Sequence, residues 1–328
     1  MALRRFLPDP FVMLMLVSMV LGFLLPEIGA NDGPLRLGEV TKLGISLVFF
    51  LHGANLARQS LIAGVKNLRV HALIQATTFI VFPIFGLVLY FGLQGVMDES
   101  LRLGFFFLAA LPSTISSSVA MTALARGNVP VAVFNASLSG LLGLVLTPAM
   151  ISLVTVTGEA QFSLTDAVIN IAMILLLPFF VGQLMRPLIK SWLTKNKAIV
   201  SMMDRGVILL IVFTSFASST ASGIWGRFAV TEFAILLVLV FALLAVALGF
   251  TVFASRQVGL DAEDEIATVF CGSTKSLATG APIAQVLFVG SPFLGVILLP
   301  LLLYHQFQLV ICAILAQRYA KRDTAIEA

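Results

Sequence analysis

The residues best placed to do chemistry in this chain lie at positions 269–282. The sequence there reads VFCGSTKSLATGAP, so Lys275 stands among serines, threonines and glycines inside an apolar stretch. A charged side chain at mid-membrane depth costs roughly 2.5–3.5 kcal/mol on insertion scales. A charge placed there among residues that loosen a helix indicates a binding site, and we predict that Lys275 belongs to a transport site. The alternative is a lysine whose stem carries the ammonium to the lipid headgroups.

The composition sets the class of protein. Apolar residues make up 59% of the 328 residues and charged residues 11%, with a mean hydropathy of +1.05, whereas soluble domains carry about 25% charged residues. The chain is therefore predicted to be an integral membrane protein surrounded by lipid. Its basic residues form no continuous face for nucleic acid. Cys271 and Cys312 lie in apolar stretches with no disulfide or zinc spacing, and no cofactor is expected beyond Na⁺ or H⁺ as a coupling ion.

A bilayer core requires about 20 apolar residues per helix, and on that length the sequence predicts ten spans joined by short loops. They fall near 10–26, 39–57, 70–93, 102–125, 129–155, 165–187, 204–222, 229–254, 264–289 and 292–317.

The distribution of basic residues predicts the orientation. If the N-terminus is cytoplasmic, 15 of the 20 lysines and arginines fall on the cytoplasmic side. Four face outside, and Lys275 lies in the membrane. The four outside are Arg36, Lys42, Arg102 and Arg227. An excess of Lys and Arg in cytoplasmic loops is the rule for membrane proteins. We therefore expect both termini to be cytoplasmic.

The two halves of the chain resemble each other at an offset of about 160 residues. GFLLP at 22–26 has a counterpart in GQLMRP at 182–187, Gly44 in Gly206, and the serine run 116–118 in the segment 273–276. Five spans per half is an odd number, so the second half enters the membrane from the opposite side. The sequence thus predicts two inverted repeats, residues 1–158 and 159–328, which is the design of many transporters.

Spans four and nine are predicted to be discontinuous helices. Span four contains a proline, and span nine two glycines, next to polar residues. Interrupted helices at matching positions of two repeats indicate a transporter's site, since half-helix N-termini suit an anion and freed carbonyls suit a small cation. The alternative is that small residues let helices pack closely. The candidate residues here are Ser113, Ser116, Ser117, Ser118, Gly272, Ser273, Thr274, Lys275 and Ser276.

Other polar residues lie within the predicted spans. Asn135 and Ser139 are four residues apart and share a helix face, which we expect to look towards the two helix breaks. His305, Gln306 and Gln308 lie in the middle of span ten, where lipid offers no hydrogen-bond partner, so the glutamines are expected to have partners within the protein. His305 could relay protons or could serve only as a structural hydrogen-bonding group.

Several segments resemble the bile acid:sodium symporter superfamily. They are LPSTISSSVAMT from 111, FNASLSG from 134, and, more specific to its SBF-like branch, FCGSTKSLATG from 270 and LPLLLYHQFQL from 299. The resemblance covers the whole chain. It implies an all-α protein of ten helices in two inverted five-helix repeats. Spans 1, 2, 6 and 7 would form a panel domain, spans 3–5 and 8–10 a core domain, and helices 4 and 9 would cross at their breaks.

The chain departs from the bile-acid branch at the ion ligands that the resemblance implies. The glutamate and glutamine positions of span nine hold Phe270 and Thr274, and the neighbouring asparagine position holds Lys275. Two sodium-ligand positions of span five fall on Ala132 and Ala136. The matches that remain, where a sodium ion would bind if it binds at all, are Gln75, Ser117, Ser118 and Asn135.

These departures lead to a functional hypothesis. All 16 acidic residues fall in predicted loops or at span ends, so no buried carboxylate is expected to hold sodium, and a lysine beside sodium would set like charges together. We therefore expect a secondary transporter of a small organic anion, working by alternating access as a monomer. It would be sodium-independent or proton-coupled, with Lys275 replacing the sodium ion or neutralising the substrate.

Four alternatives remain at this stage. The first is a sodium-coupled organic anion symporter. The second is a membrane regulator of calcium homeostasis that transports nothing, which rests on the resemblance alone. An intramembrane enzyme is a third, but the sequence has no HExxH, GxSxG or intramembrane aspartate pair. A channel is the fourth, and no ring of charges or filter motif supports it.

The predicted orientation can be tested with reporter fusions in bacterial cells. Green fluorescent protein fused after residue 328 should fluoresce and alkaline phosphatase should be inactive there, because the C-terminus is cytoplasmic. Fusions after residue 33, in the first outside loop, should give the opposite pair of results. An active phosphatase at the C-terminus would contradict the predicted topology.

Overall fold

The computed structural model describes residues 10–55, 67–155 and 169–322, and the structural statements below concern these residues. Four cytoplasmic basic residues of the predicted topology, Arg4, Arg5, Arg58 and Lys66, lie outside them. So does the predicted boundary between the two repeats, at residues 158 and 159.

All regular secondary structure in the described residues is helical. The helices are α1 (Pro10–Leu24), α2 (Pro26–Gly29), α3 (Leu37–Asn55), α4 (Leu68–Gly92), α5 (Glu99–Ala110), α6 (Ser116–Leu124), α7 (Val129–Thr155), α8 (Ile169–Lys195), α9 (Lys197–Ala221), α10 (Val230–Gln257), α11 (Ala262–Ser273), α12 (Leu277–Leu287) and α13 (Leu294–Ala320), with a 3₁₀ turn at Ile224–Arg227.

Seven of these helices are long and apolar enough to cross a membrane: α3, α4, α7, α8, α9, α10 and α13. The helix α1 is shorter, at 15 residues. Exposed leucines, valines and phenylalanines cover the outer faces of several of the long helices, as expected where lipid is the solvent. The prediction of an all-helical membrane protein is confirmed, whereas the ten-span inverted repeat stays a prediction.

Two of the predicted spans are broken in the middle, as the sequence predicted. The helices α5 and α6 are separated by residues 111–115, and α11 and α12 by residues 274–276. Pro112 disfavours the helical conformation of the residue before it, and Leu111 is accordingly extended, with φ −73° and ψ 151°.

The extents of the breaks differ from the prediction. The serine run 116–118 forms the first turn of α6, and Gly272 and Ser273 remain within α11. Serine is well tolerated at a helix start, where the first N–H groups have no partner within the helix. The non-helical segments are therefore shorter than the polar segments of the sequence from which the breaks were predicted.

Two long helices widen into single π-helical turns. They lie at Thr77–Val81 in α4 and Ala172–Leu176 in α8. Each turn precedes a proline, Pro83 or Pro178. A proline has no N–H and its ring crowds the carbonyl of the preceding turn, and a π turn is one way in which a helix accommodates this disruption.

The chain divides into two compact units. The first comprises residues 1–55, 165–228 and 281–296, and within it α3 packs along α8 and α1 along α9. The second comprises residues 56–164, 229–280 and 297–328, and within it α11 packs against α4, α6, α7 and α10. The predicted panel and core domains share most of these boundaries, but residues 281–296 fall in the first unit. The panel and core assignment stays a prediction.

Glycines bring α3 and α8 into close contact within the first unit. A Cβ atom at Gly53 would lie 3.0 Å from the Cα of Phe179 and closer to its carbonyl group. A Cβ atom at Gly182 would lie 3.1 Å from the backbone nitrogen of Ala54 and closer to the carbonyl group of Phe50. The two backbones therefore touch at positions that accept no side chain.

We predict that Gly182→Ala destabilises the protein although alanine favours helices more than glycine does. Overpacking costs roughly 1–3 kcal/mol, and the midpoint of thermal unfolding in detergent should fall by several degrees. The control is Gly206→Ala in α9, where a Cβ atom meets nothing within 4 Å. Equal midpoints for the two variants would contradict the close helix contact.

Candidate functional site

Lys275 lies fully buried in the break between α11 and α12. Its Nζ donates to three backbone carbonyl oxygens: Thr78 at 3.1 Å, Ala109 at 2.7 Å and Leu111 at 2.7 Å. An ammonium group has three N–H donors, so all three are satisfied by the protein. The lysine does not extend towards the headgroups, and the snorkelling alternative is wrong.

Each of these carbonyl oxygens is available because a helix is interrupted. Thr78 lies five residues before Pro83, which has no N–H to continue the π-helical pairing of α4. The carbonyl of Ala109 would bind the N–H of Ser113 in a continuous helix, but that N–H donates instead to the Ser139 Oγ at 2.9 Å. Leu111 lies in the break itself. The carbonyl oxygens that bind the lysine are therefore those whose usual backbone N–H partners in a helix are absent or bound elsewhere.

An aromatic ring completes the surroundings of the ammonium. The Nζ of Lys275 lies 4.1 Å from the ring centroid of Phe82, a distance at which the negative face of an aromatic ring attracts a cation. The Phe82 ring in turn meets Tyr304 edge to face at 6.3 Å. Three carbonyl oxygens and a ring face form an environment suited to a single positive charge.

The backbone of the break is held by Gln308 of α13. Its Oε1 accepts from the Lys275 N–H at 2.8 Å and its Nε2 donates to the Lys275 carbonyl at 3.0 Å. Its Nε2 also lies 3.0 Å from the His305 Nδ1. Tyr304 donates from its hydroxyl to the carbonyl of Ser273 at 2.6 Å. These side chains replace the backbone pairing that a continuous helix would supply.

The two helix breaks contact each other directly. The Ser276 N–H donates to the Pro112 carbonyl at 2.9 Å, and the Ser113 and Thr274 hydroxyl oxygens lie 3.3 Å apart. The Ser139 hydroxyl accepts from Ser113, as described above. Five of the predicted site residues are therefore brought together around the two breaks: Ser113, Ser139, Thr274, Lys275 and Ser276.

Gln75 and Asn135 form a second polar group, which includes His71. The Gln75 Nε2 donates to the Asn135 carbonyl at 3.1 Å and to its Oδ1 at 3.2 Å. The Asn135 Nδ2 lies 2.8 Å from the His71 Nδ1. The Oε1 of Gln75 is buried and, among the described residues, has no hydrogen-bond partner. Asn135 and Ser139 thus share a helix but bind different partners.

Five of the remaining predicted site residues are not among the groups that bind the Lys275 ammonium or join the two breaks. Ser118 donates to the Thr114 carbonyl, the buried Ser117 hydroxyl has no partner among the described residues, and Ser116 is exposed. Gly272 lets α11 approach α10, since a Cβ atom there would lie 2.9 Å from the Thr251 methyl group. The Gln306 Nε2 is buried without a partner in the described part of the chain.

Two carboxylates at the predicted start of span nine are buried: Asp264 is 4% and Glu265 6% exposed. The expectation that no buried carboxylate is available to hold sodium stays a prediction. Both carboxylates lie in the first turn of α11, about ten residues or roughly 15 Å along the chain from Lys275. Asp264 accepts from the side-chain amides of Asn67 at 2.5 Å and Asn128 at 2.8 Å.

Glu265 is held by cationic and hydroxyl donors. Arg256 binds it at 3.1 Å, the Tyr319 hydroxyl at 3.0 Å and Arg322 at 3.5 Å. Burial is tolerated because these donors compensate for lost water. Within the described ranges, no cluster of three or more His, Cys, Asp or Glu side chains could hold a metal ion.

Sequence reasoning missed several residues that complete this arrangement: Thr78, Phe82, Tyr304 and His71. The carbonyl of Thr78 and the ring of Phe82 carry no signal in the sequence beyond the neighbouring Pro83. Gln308, which the sequence indicated as a mid-span residue in need of an internal partner, lies three residues after His305, a spacing that places both on one helix face. Its partners are the backbone of Lys275 and His305.

These features define a helical membrane protein with a polar site at paired helix breaks, an arrangement typical of secondary transporters. The model of the SBF-like CPA transporter family matches residues 9–321. The chain therefore belongs to the SBF-like CPA transporter family.

Three relatives illustrate the family. An uncharacterised protein of Pseudomonas aeruginosa is 45% identical over 322 residues, covering 98% of this chain and 96% of the relative. The candidate symporter YfeH of Escherichia coli K12 is 39% identical over 320 residues, covering 98% and 95%. The sodium/bile acid cotransporter 7 of Rattus norvegicus is 29% identical over 321 residues, covering 95% and 93%. The family and these names indicate a membrane transporter rather than an enzyme.

We predict that Lys275→Met lowers the stability of the protein strongly. The change leaves three buried carbonyl oxygens without donors, at about 1–3 kcal/mol for each unsatisfied group. The midpoint of thermal unfolding in detergent should therefore fall by much more than in Lys190→Met, a control at an exposed lysine of α8. A variant at position 275 as stable as this control would mean that the ammonium does not hold the breaks together.

Proposed function

We propose that this protein is a secondary transporter of a small organic anion that is sodium-independent or proton-coupled, with the ammonium of Lys275 in place of a sodium ion. The observation that carries the proposal is the binding of that ammonium by three carbonyl oxygens, from Thr78, Ala109 and Leu111. Oxygen atoms freed at helix breaks are the ligands with which transporters hold alkali cations. A tethered ammonium therefore occupies the kind of site that a mobile cation would need.

Electrostatics support this role over direct contact with the substrate. All three donors of Lys275 are used by carbonyl oxygens, so none remains for an anion. Its positive charge still acts through the low dielectric of the interior. The helices α6 and α12 begin at the same breaks, and helix N-termini favour negative charge. The substrate anion would be attracted by the N-terminal ends of these two helices and by the positive charge of the Lys275 ammonium.

A second candidate function is sodium-coupled symport of an organic anion. The oxygen atoms of Gln75 and Ser117, which are buried and have no hydrogen-bond partner among the described residues, favour it, since such atoms suit a small cation. The rat relative is named as a sodium cotransporter. In that case sodium would bind near Gln75, Ser117, Ser118 and Asn135 while Lys275 keeps a structural role.

The transport cycle that we propose is alternating access in the bacterial inner membrane. It involves two inverted repeats of five spans, a panel domain and a core domain, and cytoplasmic termini. A monomer contains one complete set of repeats and would suffice for transport.

The role of Lys275 can be tested by cation rescue. We predict that Lys275→Ala, which leaves room beside the three carbonyl oxygens, regains thermal stability in Na⁺ or propylammonium relative to choline. Lys275→Met fills the same room with an apolar chain and should not respond to either cation. The wild-type protein should be equally stable in Na⁺ and choline because its cation is built in. Stabilisation of the wild type by Na⁺ would contradict the proposal and favour sodium-coupled symport.

The substrate class can be tested by screening organic anions against the purified protein in proteoliposomes, in Na⁺ and in choline at two pH values. An anion that stabilises the protein equally in both salts, and is accumulated without a sodium gradient, supports the proposal. Acceleration by an imposed proton gradient would identify proton coupling. Uptake that requires sodium and persists in Lys275→Ala would overturn the proposal that Lys275 replaces the sodium ion.

A further inference from the structure

A groove runs along the exposed side of α10 and α13, within the second unit. Its volume is about 740 Å³. Phe241, Ala245 and Gly249 of α10 line one wall, and Ile314 and Leu315 of α13 line the other. The groove is therefore apolar along most of its length. It is separate from the residues that surround Lys275.

One end of the groove is basic. Arg256 and Gln257 lie at the C-terminal end of α10 and Arg318 near the C-terminal end of α13, and all three line the groove. The described residues that line it include no aspartate or glutamate. From Phe241 to Gln257 the wall extends roughly 24 Å at 1.5 Å per residue. One leaflet of the hydrocarbon core is about 15 Å thick, so the groove is long enough to span a leaflet and reach the headgroups.

The groove is open because α10 has small residues at its centre. A Cβ atom at Gly249 would meet no atom of the described residues within 4 Å, and Ala245 lies one helical turn before it. Phe241 and Phe253, one turn further on each side, carry large exposed rings. The small residues therefore form a gap between two bulky ones along the apolar wall of the groove.

The charge at the basic end is only partly neutralised. Arg256 and Arg322 both bind the single carboxylate of Glu265. In the part of the chain that the structure describes, no ion pair is formed by Arg318, and its side chain is exposed. Two guanidinium groups share one carboxylate while a third remains available. This end of the groove thus favours an anion, and the Gln257 amide offers a further hydrogen-bond donor.

We propose that this groove binds one anionic glycerophospholipid of the surrounding leaflet. The phosphate oxygens would bind the guanidinium groups of Arg318 and Arg256, which are suited to paired hydrogen bonds with phosphate. An acyl chain would lie in the gap at Ala245 and Gly249. Basic pockets between membrane helices are a recurrent way of selecting anionic lipid headgroups, and here the apolar gap adds a place for the lipid's chain.

The lipid touches two elements that matter for the site. The helix α13 supplies Gln308, which holds the backbone of Lys275, and Arg256 binds the start of α11 through Glu265. A bound phospholipid would therefore stabilise the C-terminal end of α13 and the start of α11, the helices that hold the break. This consequence rests on contacts within one unit and requires no particular substrate.

The proposal can be tested by native mass spectrometry of the purified protein in detergent, with phosphatidylglycerol and phosphatidylcholine of identical chains supplied together. We expect one retained phosphatidylglycerol per protein and no comparable retention of phosphatidylcholine. Arg318→Gln should lower phosphatidylglycerol retention by about fivefold, the effect of one basic residue at an anionic membrane surface. Gly249→Leu should lower it similarly by filling the gap.

Matched controls distinguish this site from general lipid contact. Arg69→Gln changes an exposed arginine that does not line the groove, and Gly206→Leu changes a glycine whose Cβ atom also meets nothing within 4 Å. Both should retain phosphatidylglycerol as the wild type does. The same lipid should raise the midpoint of thermal unfolding of the wild type, and soluble glycerol phosphate should not.

Three results would overturn the proposal. Equal retention of the two lipids would mean that the groove holds only unselected bilayer lipid. Stabilisation by glycerol phosphate alone would mean a soluble phosphate site. Unchanged retention in correctly folded Arg318→Gln and Gly249→Leu, judged by size-exclusion profile, would place the lipid elsewhere on the protein.

Discussion

The site of this protein depends on one constraint, that every polar backbone group inside a membrane must find its partner within the protein. Breaking a helix at membrane depth releases carbonyl oxygens that lipid cannot satisfy. The chain meets this cost with the side chain of Lys275, whose three donors bind oxygens released from α4 and from the end of α5. A buried ammonium without acceptors and three buried carbonyls without donors would each be unfavourable. Here each satisfies the hydrogen bonds that the other has lost on burial.

The same constraint explains the side chains around the lysine. Gln308 supplies both a donor and an acceptor to the backbone of Lys275, and Thr147 donates from its hydroxyl to the Ala110 carbonyl at 2.7 Å. Tyr304 and Ser139 each satisfy one further backbone group of the breaks. These residues act as substitutes for helix hydrogen bonds. The backbone of the breaks is thus held by side-chain hydrogen bonds, as a binding site of defined geometry requires.

The carboxylates of Asp264 and Glu265 illustrate a different use of burial. They lie at the first turn of α11, where the helix dipole favours negative charge, and amides, a tyrosine and two arginines bind them. This network anchors the end of the helix that leads to Lys275. Both carboxylates lie about ten residues along α11 from Lys275, roughly 15 Å. The lysine has no carboxylate among the described groups that bind its ammonium.

The sequence by itself determined the class of protein, the existence of the long helices and the two helix breaks. Both kinds of signal act on the backbone nearby in the chain. An apolar run of about 20 residues favours a helix of that length, and α7 begins and ends at the residues that the sequence predicted. A proline interrupts a helix at its own position, as Pro112 does here. The importance of Lys275 also followed from sequence, because a charge in an apolar span has few explanations.

Only the tertiary structure decided what the lysine binds. Its partners are backbone carbonyls of residues 164 to 197 positions away in the chain, and a backbone carbonyl has no residue type by which a sequence could reveal it. For the same reason the sequence did not separate Ser113 and Ser139, which touch the breaks, from the exposed Ser116. It also did not show that two buried carboxylates already have partners. Side-chain type is encoded locally, whereas the satisfaction of each polar group is settled by which helices meet.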